Sequence, residues 1–194
     1  MSGELEGRRV AIIATHGVEE SELVEPRAAV EAAGATTELL SIDDGEIQSM
    51  QHDLDPSRRY PVDGRVADAN AGDFDALILP GGVANPDSLR QDDDVIRFIR
   101  EIVRAGKPVG VICHGPWTLV EADLVRGRTL TSYPSIRTDI ENAGGTVIDA
   151  EVVVDQGLVS SRDPDDLPAF CAKIVEEFAA AARRAAPEGA TRRA

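Results

Sequence analysis

Continuous apolar runs and helically spaced apolar residues alternate along this chain, predicting strand and helix in turn. Arg9 to Thr15 (RVAIIAT) is a partly β-branched run of strand length. Glu19 to Gly34 spaces Leu23, Val24, Ala28, Val30 and Ala33 as a helix does and stops at a glycine, the residue best suited to a left-handed C-terminal cap. Thr36 to Ile42 predicts a second strand, with a turn at Asp43-Asp44-Gly45-Glu46. Glu46 to Gly64 is polar and the least regular part, and a hairpin is its candidate element. Asp75 to Leu79 (DALIL) predicts a third core strand, closed by Pro80-Gly81-Gly82. Asp92 to Ala105 carries Val95, Ile96, Ile99, Ile102 and Val103 on one helical face and ends at Gly106.

The second half continues the alternation. Pro108 to Ile112 is an apolar run, Thr129 to Ser132 is short and strand-like, and Pro134 to Ala143 predicts a helix ended by Gly144-Gly145. Val147 to Val154 and Leu158 to Ser161 flank Asp155-Gln156-Gly157, a hairpin turn. Pro164 to Ala182 predicts the closing helix. No internal repeat or linker interrupts this order. It predicts one α/β domain with a mostly parallel sheet over residues 1–186, and a frayed tail over 187–194.

One junction carries chemistry. The run Pro108 to Ile112 leads through Cys113-His114-Gly115 into Pro116 and Trp117 to Ala122, which read as the first turns of a helix with proline near its start. A strand that turns sharply into a helix through small residues lifts one side chain to the top of the sheet; with serine there it is the nucleophile elbow of hydrolases. Here the lifted residue is Cys113. The helix N-terminus beneath it favours the thiolate. A free cysteine is often only a small core hydrophobe. The flanking histidine and glycine at a strand-to-helix turn favour the nucleophile.

Composition bounds the partners. The chain has 194 residues, enough for one well-packed domain, and 42% hydrophobic content. Acidic residues number 35 against 20 basic, a formal charge of −15 that argues against nucleic acid and anionic membranes. Lys107 and Lys173 are the only lysines, a bias that fits either a salty cytoplasm or an arginine-rich codon usage. Cys113 and Cys171 form neither a disulfide framework nor a zinc spacing, so a reducing cytoplasm is the expected location. The N-terminus is polar, without the apolar core of a signal peptide, and no stretch is long enough to span a bilayer.

The elbow VICHGPW, the segment LVRGRTLTSYPSIRTDIENAGG (Leu124 to Gly145), the LPGG that ends the third strand and EVVVDQGLVSSRDPDDLPAF (Glu151 to Phe170) together resemble the ThiJ/PfpI family. So does the acidic opening of the first helix, Gly17 to Leu23. That family includes PfpI-type intracellular proteases and a protein deglycase, within the class I glutamine amidotransferase-like superfamily. The resemblance covers almost the whole chain. It implies a flavodoxin-like three-layer sandwich, assembled as a homodimer or a higher homo-oligomer.

It also implies site roles. Cys113 matches the nucleophile, and His114 follows it as in the PfpI branch. Glu22 matches a buried glutamate that touches the sulfur and serves as general acid/base. Gly81 and Gly82 match the glycine pair whose amides, with that of His114, make an oxyanion hole. Asp87 stands where the protease branch has an acid that a neighbouring subunit supplies to orient the histidine; the loop length differs and aspartate is one methylene shorter. Taken singly, Gly81-Gly82 is a tight turn, His114 a loop histidine, and Glu22 a surface charge such as Glu19, Glu20 and Glu25. Pro86-Asp87 equally opens a short helix. His16 lies near enough to the top of the sheet to be a pocket-lining candidate, and His52 has no role. A glutamine amidotransferase takes its triad histidine from downstream, and no histidine follows His114.

The expectation is a cysteine-dependent hydrolase or lyase acting on small carbonyls or glycated protein side chains, as a protein deglycase or glutathione-independent glyoxalase in stress defence, needing no cofactor or metal. A PfpI-type peptidase using Cys113, His114 and Asp87 is the first alternative. A redox sensor or chaperone that uses Cys113 without turnover is the second.

Overall fold

The computed structural model describes residues 3–185; the expected tail at 187–194 lies outside them. The first three apolar runs form β1 (Arg9–Ile13), β3 (Thr36–Ser41) and β7 (Ala76–Leu79), and a two-residue strand, β2 (Val18–Glu19), precedes α1 (Glu20–Ala32). The irregular polar segment folds as the hairpin β4 (Glu46–Gln51) and β5 (Asp55–Pro61), followed by β6 (Gly64–Arg65). The short helix that Pro86-Asp87 allowed is present as α2 (Ala84–Leu89). Then come α3 (Asp93–Arg104), β8 (Val109–Ile112), α4 (Pro116–Glu121), β9 (Thr129–Leu130), α5 (Arg137–Asn142), β10 (Thr146–Val147), β11 (Val152–Asp155), β12 (Leu158–Ser161) and α6 (Leu167–Ala185).

Seven strands form the central sheet in the order β11-β12-β8-β7-β1-β3-β6. Only the β11–β12 hairpin is antiparallel. Both faces are covered, which is why β1, β7 and β8 are unbroken apolar runs rather than alternating ones. Ala11 and Ile13 face one layer, with α3 (Val95, Phe98, Ile102), Leu119 of α4 and Ile140 of α5. Val10 and Ile12 face the other, with Leu23 and Val30 of α1 and Phe170, Ile174 and Phe178 of α6. Each fully buried Phe or Ile contributes roughly 1.5–3 kcal/mol. The result is the expected three-layer α/β sandwich.

Helix ends follow local chemistry. The Asp92 side chain accepts the Val95 N–H at 3.0 Å and caps α3, whose first turn carries Asp93 and Asp94 and whose last carries Arg104. The closing helix starts at Leu167 rather than Pro164, because Pro164 to Asp166 form a tight turn in which the Asp163 carboxylate holds the Asp165 N–H at 3.1 Å. In α1 the inward face is Glu22, Leu23, Pro26 and Val30. Val24 and Ala28, expected inside, are exposed. Cys171, expected in the core, is half-buried beside it.

Strand order reverses between β1 and β7: the chain runs outward to β3 and β6, then returns to β7, β8 and β12. In open α/β sheets the crevice beyond the carboxyl ends of the strands at such a reversal is where ligands bind. Glu22 after β1, Gly81 after β7 and Cys113 after β8 all lie at that end.

Candidate active site

Cys113 has φ +61°, a left-handed conformation that a residue with a Cβ adopts at a cost of about 1–3 kcal/mol. Its ends are pinned: its N–H donates to Ser161 O at 3.1 Å, and its carbonyl accepts Tyr133 N–H at 3.0 Å. The neighbours β12 and the loop before α5 therefore hold the strained turn in place. Cys113 is 4% exposed, beyond the carboxyl end of β8.

Glu22 meets it there. The carboxyl is fully buried; Oε2 accepts the Gly81 N–H at 2.8 Å, which sets the carboxyl beside the Cys113 side chain, with Gly81 between them. Oε1 has no partner within the protein. Burial pushes the Glu22 pKa up to about 8, only partly offset by the Gly81 hydrogen bond and the neighbouring Cys113, so the acid keeps its proton at neutral pH. The Cys113 thiol is pushed up as well, first by burial and then by the Glu22 carboxylate, against the Gly82 and His114 amides that favour the anion. The two acids compete, and a thiolate forms readily only while Glu22 holds its proton.

The glycine pair is there because nothing larger fits. A Cβ on Gly81 would stand 2.7 Å from the Cys113 Cβ and 2.7 Å from Glu22 Oε2. Gly82 has φ +76°, and a Cβ there would meet Gly17 O at 2.3 Å. The division of labour differs from the expected oxyanion hole: the Gly81 N–H is committed to Glu22, so the amides that face the sulfur are those of Gly82 and His114.

His114 is buried, with Nδ1 3.2 Å from Cys113 Sγ. Its ring stacks on Tyr133 at 4.5 Å, and burial pushes its pKa down, keeping it neutral. The other ring nitrogen, Nε2, lies 2.9 Å from Ser135 Oγ. Asp87 is exposed on α2, and within this chain no hydrogen bond among the described residues joins it to His114. Within this chain, Ser135 is the partner of that nitrogen.

Several residues that matter here escape the sequence pattern. Asn85 is fully buried; its Oδ1 accepts the Thr15 N–H at 2.7 Å while its Nδ2 donates to Pro80 O and Gly81 O, each at 3.0 Å. It ties the end of β1 to the glycine loop. Glu19 and Glu20 are not free surface charges: Glu19 is buried and accepts the Asp53 N–H, and Glu20 accepts from Ser57, Tyr60 and Gln51. Glu25 is exposed as expected. His16 is exposed, its Nδ1 accepting the Gln48 N–H at 2.9 Å, and does not line the crevice. A groove of about 810 Å³ adjoins the site, lined by Glu19, Glu20, Tyr60, Tyr133, Asp163 and Asp165 among others. Among the described residues, no group of three or more His, Cys, Asp or Glu side chains is arranged to hold a metal, and no helix is long and apolar enough to cross a membrane.

The two cysteines differ in chemistry more than in access. Cys171 is the more exposed, with a pKa pushed up to about 11 by burial and then by Glu25. Iodoacetamide should nevertheless label Cys113 first, because the Gly82 and His114 amides favour its anion, and its lead should shrink as pH rises through about 8, where Glu22 gives up its proton and the carboxylate opposes the thiolate. Labelling at Cys171 should stay slow until well above that. Peptide mapping by mass across pH 6–10 reads both rates, and faster labelling of Cys171 at pH 8 would remove the elbow from the chemistry.

Fold and site together define a three-layer α/β protein with a cysteine at a strained strand-to-helix elbow against a buried, protonated carboxyl. Residues 8–177 match the DJ-1/PfpI family, and the chain belongs to it. It is 43% identical over 165 residues to General stress protein 18 of Bacillus subtilis, covering 84% of this chain and 94% of that protein. It is 40% identical to Protein/nucleic acid deglycase 2 of Escherichia coli, covering 84% and 93%. A further Bacillus subtilis relative, YraA, named provisionally as a cysteine protease, is 40% identical over 84% and 94%. Among solved structures, a two-domain protein from Anabaena variabilis with DJ-1/ThiJ/PfpI-like and ferritin-like domains superposes with a TM-score of 0.83 at 34% identity. That match covers 88% of this chain and 48% of the other, so this chain spans about half of that protein.

Proposed function

We propose that this protein converts small 2-oxoaldehydes such as methylglyoxal, free or as adducts on protein side chains, by covalent catalysis at Cys113. The observation that carries the reading is the fully buried Glu22 carboxyl, held by the Gly81 N–H beside Cys113 and kept protonated at neutral pH by its burial. A 2-oxoaldehyde becomes a 2-hydroxy acid by adding one water and moving one hydrogen from the aldehyde carbon to the ketone carbon. One acid that gives and takes a proton beside a thiolate can do this without an external oxidant or reductant.

The Cys113 thiolate adds to the aldehyde carbon, forming a C–S bond, while Glu22 gives its proton to the oxygen. The amides of Gly82 and His114 stabilise the developing oxyanion. Glu22, now a carboxylate, takes the proton from the same carbon to leave an enediol and returns it to the neighbouring carbon, while the hydroxyl proton passes from the first oxygen to the former ketone oxygen. That leaves a thioester, which water cleaves to the hydroxy acid and the free thiol. With an adduct on an amine or thiol, the side chain departs as the carbon passes to Cys113, and the groove beside Tyr133 gives it room. The relative named as a deglycase supports this substrate class, and the relative named as a stress protein supports its setting.

The peptidase reading needs an imidazole oriented by a carboxylate. Here His114 Nε2 is paired with a neutral hydroxyl, which stabilises an imidazolium poorly. The test is product analysis: incubation with methylglyoxal should yield lactate in proportion to dicarbonyl consumed. A folded wild-type protein that consumes no dicarbonyl but cleaves a fluorogenic peptide would overturn the reading. Neither activity would favour the sensor or chaperone role.

A further inference from the structure

The β4–β5 hairpin ends in a turn closed by Leu54 N–H on Gln51 O, with His52 at φ +52° and Asp53 at φ +63°. Two successive left-handed residues make the backbone of a type I′ turn, in which glycine is the favoured second residue. The chain keeps aspartate there instead, exposed and at some conformational cost. Its side chain is not idle. Oδ1 accepts the Val83 N–H at 2.8 Å, and its own N–H donates to Glu19 Oε2 at 3.2 Å.

These bonds join three elements. Glu19 immediately precedes α1, which carries Glu22. The hairpin is fixed to that helix a second time by Glu20, which accepts from Tyr60 OH at 2.6 Å and from Ser57 and Gln51. Val83 follows Gly82, whose amide favours the Cys113 anion, and Gly81 before it lies so close that a Cβ there would stand 2.7 Å from the Cys113 Cβ. The peptide between Gly82 and Val83 is thus held from one side by Asp53, while Asn85 holds the peptide oxygens of Pro80 and Gly81 from the other.

We propose that Asp53 is a positioning residue for the reaction: through the Val83 N–H it locks the Gly81–Gly82 turn so that the Gly82 amide stays aimed at Cys113 while Glu22 is held opposite. The hairpin is then a brace between the nucleophile's acid partner and its oxyanion loop. The proposal rests on the dicarbonyl reading for its turnover arm only.

Asp53→Gly separates this role from a structural one, because glycine relieves the turn. A merely structural Asp53 predicts equal or higher stability with unchanged chemistry. The brace predicts that kcat on methylglyoxal falls about five- to tenfold, the scale of one ordinary lost hydrogen bond, with KM within about twofold. Cys113 alkylation should slow in parallel, and the melting temperature should not drop. Asp53→Asn keeps an oxygen acceptor and tolerates the left-handed backbone, so it should restore most of both rates. Wild-type kcat and alkylation in Asp53→Gly would overturn the brace. So would a loss in Asp53→Asn as deep as in Asp53→Gly, which would point to charge rather than the hydrogen bond, or a fall in melting temperature large enough to explain the loss. If the wild-type protein shows no dicarbonyl turnover, the proposed function fails while the alkylation rates still decide the brace.

Discussion

Cys113→Ala abolishes methylglyoxal turnover, and Asp87→Ala leaves most of it: that is the expected result of the comparison with the largest effect. Without the sulfur there is no covalent intermediate, and nothing else among the described residues at the crevice floor offers a nucleophile. Asp87 is different. A dicarbonyl site needs Cys113, Glu22 and the Gly82 and His114 amides, all assembled within one chain. A peptidase must also protonate a leaving amine, which calls for His114 held by an acid; Asp87, exposed on α2, is brought to it only if a second subunit does so. The peptidase mechanism therefore requires Asp87→Ala to remove peptide hydrolysis nearly as fully as Cys113→Ala. The three proteins, assayed side by side on methylglyoxal and on a fluorogenic peptide, give opposite patterns for the two mechanisms. Peptide cleavage that depends on Asp87, with no dicarbonyl turnover, would reverse the assignment.

Glu22→Gln is expected to lower turnover by roughly 10²–10⁴-fold with the fold intact, since glutamine keeps the shape and a donor but cannot shuttle a proton. The same variant has a signature in stability that owes nothing to substrate. Glu22 has an ordinary pKa of 4.5 and a folded value of about 8. Between these the folded chain binds a proton that the unfolded chain releases. The stabilising contribution is fully present below pH 4.5 and is lost as pH rises through about 8, at about 1.4 kcal/mol per pH unit from this one group. Denaturant titrations at pH 5, 6, 7 and 8 should therefore show wild-type stability falling relative to Glu22→Gln. Parallel curves for the two proteins, or near-normal turnover in the variant, would return Glu22 to an ordinary carboxylate.

Much of the fold was legible in the chain, and the physical reason is local. β1, β7 and β8 are buried on both faces, so they had to be unbroken apolar runs. Asp92 caps α3 through a side chain three residues from its target, and Gly106 follows its end. The turn at Cys113 was legible for the same reason: the residues that make it are contiguous, and Gly115 stands where a Cβ would meet Leu79 O at 2.7 Å.

What the sequence left open lies in contacts between distant segments. An isolated Glu22 on an acidic helix opening reads as a surface charge unless a resemblance says otherwise. It is inside because α1 packs with its Glu22–Leu23–Pro26–Val30 face on the sheet, and its raised pKa is a consequence of that burial. Asn85 on the short helix α2, 70 residues from Thr15 in sequence, and Asp53 at a hairpin turn, 30 residues from Val83, are polar residues with no periodicity to betray them. Ser135 reaches His114 only because the loop before α5 folds back over the elbow. The sequence by itself determined which strands are buried, where the chain reverses and which cysteine sits at the turn, because hydrophobic burial and backbone sterics act through neighbours. The tertiary structure decided which carboxyl is desolvated, which amides face the sulfur and what pairs with the histidine, because desolvation and hydrogen bonding depend on what the rest of the chain brings within about 3 Å.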